Sequence, residues 1–131
     1  MTVLALVLAS LAASPTAYEE HHCDEPMAQM DMNACAALDF EAADGELNRL
    51  WREVITAARE SDRDIDRSYD KRPTSEAVLR DAQRAWIKYR DAHCTYDGYE
   101  ARGGSMEPML YNGCRARLTR ERIAQLRPEP L

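Results

Sequence analysis

The stretch from Ala82 to Cys94 reads Ala-Gln-Arg-Ala-Trp-Ile-Lys-Tyr-Arg-Asp-Ala-His-Cys and decides the fold. It contains neither Gly nor Pro, and every residue in it is compatible with the interior of a helix. In and around it, apolar and aromatic residues recur at steps of three and four, so they share one helical face. These positions are Leu79, Ala82, Trp86, Tyr89, His93 and Tyr96. We therefore predict an amphipathic helix on which the other helices pack, with Trp86 and Tyr89 in the core.

The flanking sequence predicts two further long helices. From Met27 to about Ala58 the apolar positions keep helical spacing, which favours one long helix that also places Trp51 in the core. Pro73 interrupts the pattern, and Thr74 or Ser75 is suited to cap the central helix, which we expect to end near residue 99. A last helix is predicted from about residue 105 to 126. Because no segment has the alternation of a strand, the sequence predicts an all-α bundle of three to four helices.

Length and charge limit the class of protein. The chain has 131 residues, enough for one domain, with 17 basic and 23 acidic side chains and a net charge of −6. An acidic domain without a basic stripe argues against nucleic acid and anionic membrane as partners. Residues 1–17 carry no charge and include an apolar run too short to span a bilayer, which is typical of a signal peptide. We therefore expect a mature domain over residues 18–127 and a frayed tail over 128–131.

The four cysteines all lie after residue 17 and predict two disulfides formed in an oxidising compartment. Four cysteines allow three pairings. We favour Cys23–Cys35, which would tie an N-terminal arm to the first long helix, and Cys94–Cys114, which would tie the central helix to the last one. Such bonds stabilise a small domain by roughly 2–4 kcal/mol each. The sequence thus predicts a helical bundle stapled by two disulfides.

Several motifs in this sequence occur together in one known family. In the central helix they are Gln83-Arg84-Ala85-Trp86, Tyr89-Arg90-Asp91 and Cys94; upstream, Gln29 to Cys35, Ala43-Asp44 and Leu47-Asn48; downstream, Gly103-Gly104-Ser105, Cys114, Leu118-Thr119 and Arg122. With this combination the chain resembles the lysozyme inhibitor LprI-like family, small secreted bacterial proteins, from about Cys23 to Leu126. The resemblance implies a secreted or periplasmic protein that binds lysozyme and blocks its cleft. The alternative is an envelope protein-interaction module without any effect on lysozyme.

Catalytic and metal-binding patterns are weak in this chain. We find no nucleophile flanked by glycines, no nucleophile motif paired with a general base, and no phosphate-binding loop. The sequence therefore predicts a protein that is not an enzyme and needs no cofactor. The acidic run from Asp62 to Asp70 has the spacing of a calcium loop, but Arg67 stands where Gly is required and Pro73 where Glu is required. His21, His22 and Cys23 lie together without the cysteine spacing of a zinc site. We therefore predict no metal site.

The loop Arg102-Gly103-Gly104-Ser105 is the candidate partner-binding site. Lysozyme cuts its polysaccharide with two carboxyl groups in a cleft. A narrow turn flanked by Arg102 and Ser105 could enter such a cleft and donate charge-assisted hydrogen bonds to those carboxyls. The simpler interpretation is a tight connection between two helices in which Ser105 is the N-cap of the last one. Both interpretations are compatible with each other.

Overall fold

The computed structural model describes residues 16–128, which contain four α-helices and no strand. They are α1 (Ala17–Glu20), α2 (Gln29–Asp62), α3 (Ser75–Gly98) and α4 (Glu107–Leu126), with a single 3₁₀ turn, Tyr99–Ala101, between α3 and α4. The predicted all-α bundle is confirmed, and the long helix predicted from Met27 to about Ala58 corresponds to the single helix α2. The signal-peptide prediction rests almost wholly on residues 1–15, and the tail prediction largely on residues 129–131. Both segments lie outside the described residues.

The three long helices run up, down and up. Contacts between α2 and α4 advance along both helices together, so these two helices are parallel and pack most extensively on each other. The contacts are Asn33 with Ser105, Asp39 with Arg120, and Glu46 with Arg127. Helix α3 runs the opposite way, since its early residue Gln83 contacts Arg122 late in α4. The turn between α3 and α4 therefore lies at the same end of the bundle as the start of α2.

Helix α2 is much longer than its parallel neighbour. Its 34 residues span about 50 Å, whereas the 20 residues of α4 span about 30 Å. The second half of α2 and about the first third of α3 consequently extend beyond α4 as a helical hairpin. Asp62 closes this hairpin, because its carboxylate accepts hydrogen bonds from the backbone N–H groups of Ser75 (2.8 Å) and Glu76 (3.0 Å). Thr74 is the N-cap of α3 and accepts a hydrogen bond from Ala77, as the sequence predicted.

Both predicted disulfides are confirmed. Cys23–Cys35 ties the N-terminal arm to α2, with 5.5 Å between the Cα atoms. Cys94–Cys114 ties α3 to α4, with 5.4 Å between the Cα atoms, and both of its cysteines are buried. No cysteine of the chain is left unpaired. The second bond lies beneath the α3–α4 connection and fixes the end of the bundle that carries the candidate loop.

The interior face of α3 differs from the predicted one. Its buried residues are Gln83, Arg90, Cys94 and Gly98. Tyr89 is 56% exposed, so its assignment to the core is wrong. Because Cys94 must reach Cys114, the face that carries Cys94 points inward, and Tyr89 and Tyr96 lie roughly 140–160° around the helix from it. Trp51 and Trp86 are half-buried.

Arginine and aromatic side chains alternate through the centre of the bundle. The Arg90 guanidinium lies 5.1 Å from the centroid of the Phe40 ring and 5.0 Å from that of the Trp86 ring. The Arg115 guanidinium also contacts Phe40, at 3.7 Å from the ring centroid. Tyr111 and Arg122 continue the series at its two ends. Such cation–π contacts contribute about 0.5–2 kcal/mol each, more when desolvated. The core is therefore built partly from charged groups that periodicity assigns to the surface.

Candidate partner-binding turn

The loop Arg102-Gly103-Gly104-Ser105 is a compact turn whose shape depends on its glycines. Gly103 has a φ of +76°, a left-handed conformation that costs other residues about 1–2 kcal/mol. Gly104 has an ordinary φ, but a Cβ at this position would lie 3.1 Å from the carbonyl oxygen of Ala101. The paired glycines thus allow the chain to reverse between α3 and α4 within a few residues.

The N–H groups of the two glycines in the turn are already hydrogen-bonded within the protein. The Gly103 N–H donates to the Glu107 carboxylate at 2.6 Å, and the Gly104 N–H donates to the Ala101 carbonyl at 2.8 Å. A partner that binds here therefore meets the side chains of Arg102 and Ser105 and not the glycine N–H groups. The expectation that the whole turn presents hydrogen-bond donors is therefore limited to the side chains of Arg102 and Ser105.

Ser105 does not cap α4. The N-cap residue is Met106, and no side chain caps that helix end. The Ser105 carbonyl instead accepts a hydrogen bond from Asn33 Nδ2 at 2.8 Å, and Asn33 is held in turn by Gln29 at 2.9 Å. The capping prediction is therefore wrong, because the Glu107 carboxylate binds the turn ahead of the helix. The Ser105 hydroxyl is exposed and makes no hydrogen bond to residues 16–128.

Arg102 is exposed and stacks on the ring of Tyr99, with 4.2 Å between the guanidinium carbon and the ring centroid. Among residues 16–128 it has no carboxylate partner, whereas many other arginines in the bundle form ion pairs. Stacking holds the planar guanidinium in place and leaves its edge N–H groups facing solvent. The arrangement suits a planar, doubly hydrogen-bonded contact with a carboxylate from outside the molecule.

The acidic side chains Asp66 and Asp70, in the run that resembles a calcium loop in the sequence, are hydrogen-bonded within the protein. In the part of the chain that is described, no group of three or more His, Cys, Asp or Glu side chains is placed to hold a metal. The Asp66 carboxylate binds the hydroxyl and N–H of Ser68, which lowers the pKa of Asp66. Asp70 is hydrogen-bonded to Arg72, which holds the Asp70 pKa far below its usual range. Asp66 and Asp70 therefore bind groups of their own loop.

Two of the three histidines, His21 and His93, also have local partners. His21 Nδ1 lies 3.0 Å from Asp31 Oδ1, across the arm that the first disulfide fixes. His93 is half-buried and stacks on Tyr89, with 5.4 Å between the ring centroids. Neither imidazole converges with further ligand side chains. From residue 16 to residue 128, no helix has the length and apolar character needed to cross a membrane.

Sequence reasoning missed one group of surface residues near the turn. Tyr89, Tyr96 and Tyr99 are 56%, 75% and 43% exposed, although two of them belonged to the predicted core face. The signal that could have identified them is Cys94, because a disulfide to α4 fixes which face of α3 is internal. Their exposure leaves an aromatic surface on α3 beside the turn.

The comparisons with known proteins agree with the resemblance found in the sequence. A sequence model of the family described as lysozyme inhibitor LprI matches residues 22–126. A relative from Rhizobium meliloti (strain 1021), described as uncharacterized, is 46% identical over 127 residues, which cover 95% of this chain and 89% of the relative. No solved structure matches the chain significantly.

Proposed function

This chain belongs to the lysozyme inhibitor LprI family, and from that premise we propose that it binds lysozyme and blocks its cleft by inserting the turn 102–105. The inhibitor performs no chemistry of its own. Its two disulfides fit the oxidising environment of a secreted or periplasmic protein, in which it would meet lysozyme.

The observation that carries the proposal is the state of Arg102. Its guanidinium is exposed, is held on the Tyr99 ring, and has no acidic partner among residues 16–128. Lysozyme works through two carboxyl groups in a cleft, and at least one of them is ionised in the active enzyme. An arginine that contacts such a carboxylate forms hydrogen bonds about twice as strong as those between neutral groups. Arg102 is therefore the side chain expected to occupy the catalytic centre.

The turn is also organised before binding. Gly103 is hydrogen-bonded to Glu107, the Ser105 carbonyl is bound to α2 through Asn33, and the Cys94–Cys114 bond lies beneath. A loop that is already rigid loses little conformational entropy when it binds, and this smaller entropic cost increases the affinity.

The overall charge favours the encounter. The chain carries a net charge of −6, and lysozymes are typically basic, so the two proteins attract each other over distances comparable with the Debye length. This attraction raises the association rate and weakens as salt is added. We therefore expect the association rate constant to fall with ionic strength, while the dissociation rate constant changes little.

The first experiment mixes the purified, oxidised protein with lysozyme, follows the lysis of bacterial cell walls, and measures binding by titration calorimetry. Inhibition at a near-equal molar ratio is the expected result. Unchanged lysis at a large molar excess, together with no measurable binding, would refute the proposal. Capture of an envelope protein from the producing cell, with no effect on lysozyme, would favour the alternative interaction module.

The second experiment tests the turn with a matched pair of variants. Arg102→Ala with Ser105→Ala removes the two side chains that face outward, and we expect the Kd to rise roughly 10–100-fold, as for a binding hot spot. Arg63→Ala with Ser61→Ala makes the same chemical change on exposed residues at the far end of α2, about 40 Å or more from the turn. The control variant should bind like the wild type. If both double variants inhibit equally well, the contact does not involve the turn.

A further inference from the structure

Three tyrosines form an exposed strip along the second half of α3. Tyr96 is 75% exposed and Tyr89 is 56% exposed, and the seven-residue spacing between them places both on one line of the helix, about 10 Å apart. Tyr99, 43% exposed, follows in the 3₁₀ turn. Tyrosine is enriched among the residues that dominate binding energy, so several exposed tyrosines on one line of a helix mark a candidate interface.

The strip is continuous with the proposed inhibitory turn. Tyr99 carries the Arg102 guanidinium on its ring at 4.2 Å, so the last tyrosine and the first residue of the turn form one surface. Tyr89 is also supported from behind by the half-buried His93, at 5.4 Å between the ring centroids. Together the strip and Arg102 form a surface about 20 Å long, with Tyr89 at one end and Arg102 at the other.

The size of the turn shows that it cannot form the interface alone. A stable complex between two proteins buries about 800 Å² on each partner. The turn has only four residues, and two of them are glycines without side chains. One buried aromatic side chain contributes about 150–250 Å², so the exposed parts of the three tyrosines supply on the order of 350 Å². Turn and strip together approach the area that a specific complex requires.

A second copy of this chain is a weaker candidate for covering the strip. Helix α3 has 24 residues and is about 36 Å long, and a helix contacts a neighbour over a width of about 10 Å. Through this face alone, without the turn, a dimer would bury roughly 360 Å² per partner, less than half of what a stable dimer needs. The continuity with Arg102 assigns the strip to the partner of the turn.

We infer that Tyr89, Tyr96 and Tyr99 form the second part of the lysozyme-binding surface and pack against the rim of the cleft that the turn enters. This inference rests on the proposed function. The tyrosine rings provide apolar contact area with few rotatable bonds, and their hydroxyl groups remain at the edge of the contact, where water or the partner can hydrogen-bond them. The turn confers specificity for the carboxyl groups, and the strip provides most of the apolar area.

The test compares two double variants of the full, oxidised protein. Tyr89→Ala with Tyr96→Ala removes two of the three tyrosines of the strip and leaves Tyr99 in place, so the support of Arg102 is not disturbed. Tyr69→Ala with Val78→Ala is the control, because these side chains are 91% and 55% exposed near the opposite end of the molecule. We expect the strip variant to raise the Kd for lysozyme at least 10-fold and the control to change it less than 2-fold. Both variants should unfold at nearly the wild-type temperature.

A second measurement follows the tyrosines directly. Mild iodination with peptide mass analysis should show Tyr89 and Tyr96 protected in the complex and Tyr69 equally modified with and without lysozyme. If the strip variant binds like the wild type and its tyrosines are not protected, the inference fails while the proposed function stands. If the wild type itself does not bind, both fail. Protection of the strip at high protein concentration without lysozyme, with a dimer in sedimentation, would instead assign the face to a second copy and overturn the inference.

Discussion

Arg90 tests whether the buried charges of this bundle act mainly through packing or through ion pairing. The residue is 6% exposed and lies between the rings of Phe40 and Trp86. Its carboxylate neighbours are Asp91 at 3.0 Å and Asp44 at 3.5 Å. We predict that Arg90→Ala destabilises the protein strongly, whereas Arg90→Met costs much less.

The magnitudes follow from what each variant leaves behind. Replacement by Ala empties the space between two rings, and the loss of so large a buried side chain costs about 3–5 kcal/mol. Asp44 and Asp91 are 39% and 43% exposed, so both carboxylates stay hydrated when the cation is removed. Replacement by Met retains most of the side-chain volume, and we expect a cost below about 1.5 kcal/mol. The buried Thr119 hydroxyl, which accepts a hydrogen bond from Arg90 at 3.3 Å, can turn to a carbonyl of its own helix.

Denaturant unfolding of the oxidised protein measures these differences. Total stability for such a domain is about 5–15 kcal/mol, so the Ala variant should lose a large fraction of it and melt more than roughly 12 °C lower. Arg84→Ala on the same helix, 76% exposed, is the matched control and should stay within about 0.5 kcal/mol of the wild type. Equal destabilisation by Met and Ala would show that the charge, and not the packing, is what the core requires, and the reasoning would be wrong.

Two further predictions concern stability. Gly103→Ala should destabilise the fold by about 1–2 kcal/mol, because the φ of +76° at this position strains any residue with a side chain. Gly113→Ala, at an open helical position, should stabilise the fold by roughly 0.5–1 kcal/mol. Melting temperatures that shift in the same direction for both variants would contradict this prediction. Hydrogen bonding to Arg120 lowers the pKa of Asp39 below 3.8, so the ion pair stabilises the fold above that pH and is lost as pH falls through the folded-state value. Since both side chains are about half exposed, the effect is at most about 1 kcal/mol, and the destabilisation by Asp39→Asn should be largest at pH 7 and should shrink as the pH falls below the ordinary pKa of aspartate in urea titrations.

The helices themselves were predictable from local sequence. Spacing of apolar residues, the break at Pro73 and the capping residue Thr74 act within a few residues of each other, so no tertiary information is needed to recognise them. The disulfide pairing also followed from chain order, since each bond connects neighbouring elements. The direction in which α3 faces did not follow from hydrophobicity, because its buried positions include Gln83 and Arg90, while its exposed positions include tyrosines.

The contrast between local sequence signals and tertiary contacts also explains the turn 102–105, whose chain reversal was predicted correctly but whose available donors were not. Paired glycines identify a chain reversal from sequence alone, because only glycine adopts the required φ at little cost. Which donors remain available depends on Glu107, whose carboxylate binds the Gly103 N–H at 2.6 Å, and on Tyr99, which holds Arg102. Those contacts depend on how α4 leaves the turn, which residue spacing does not encode. We therefore expect partner binding to depend on Arg102 and its tyrosine neighbours, and the Arg102 and tyrosine variants separate these two contributions.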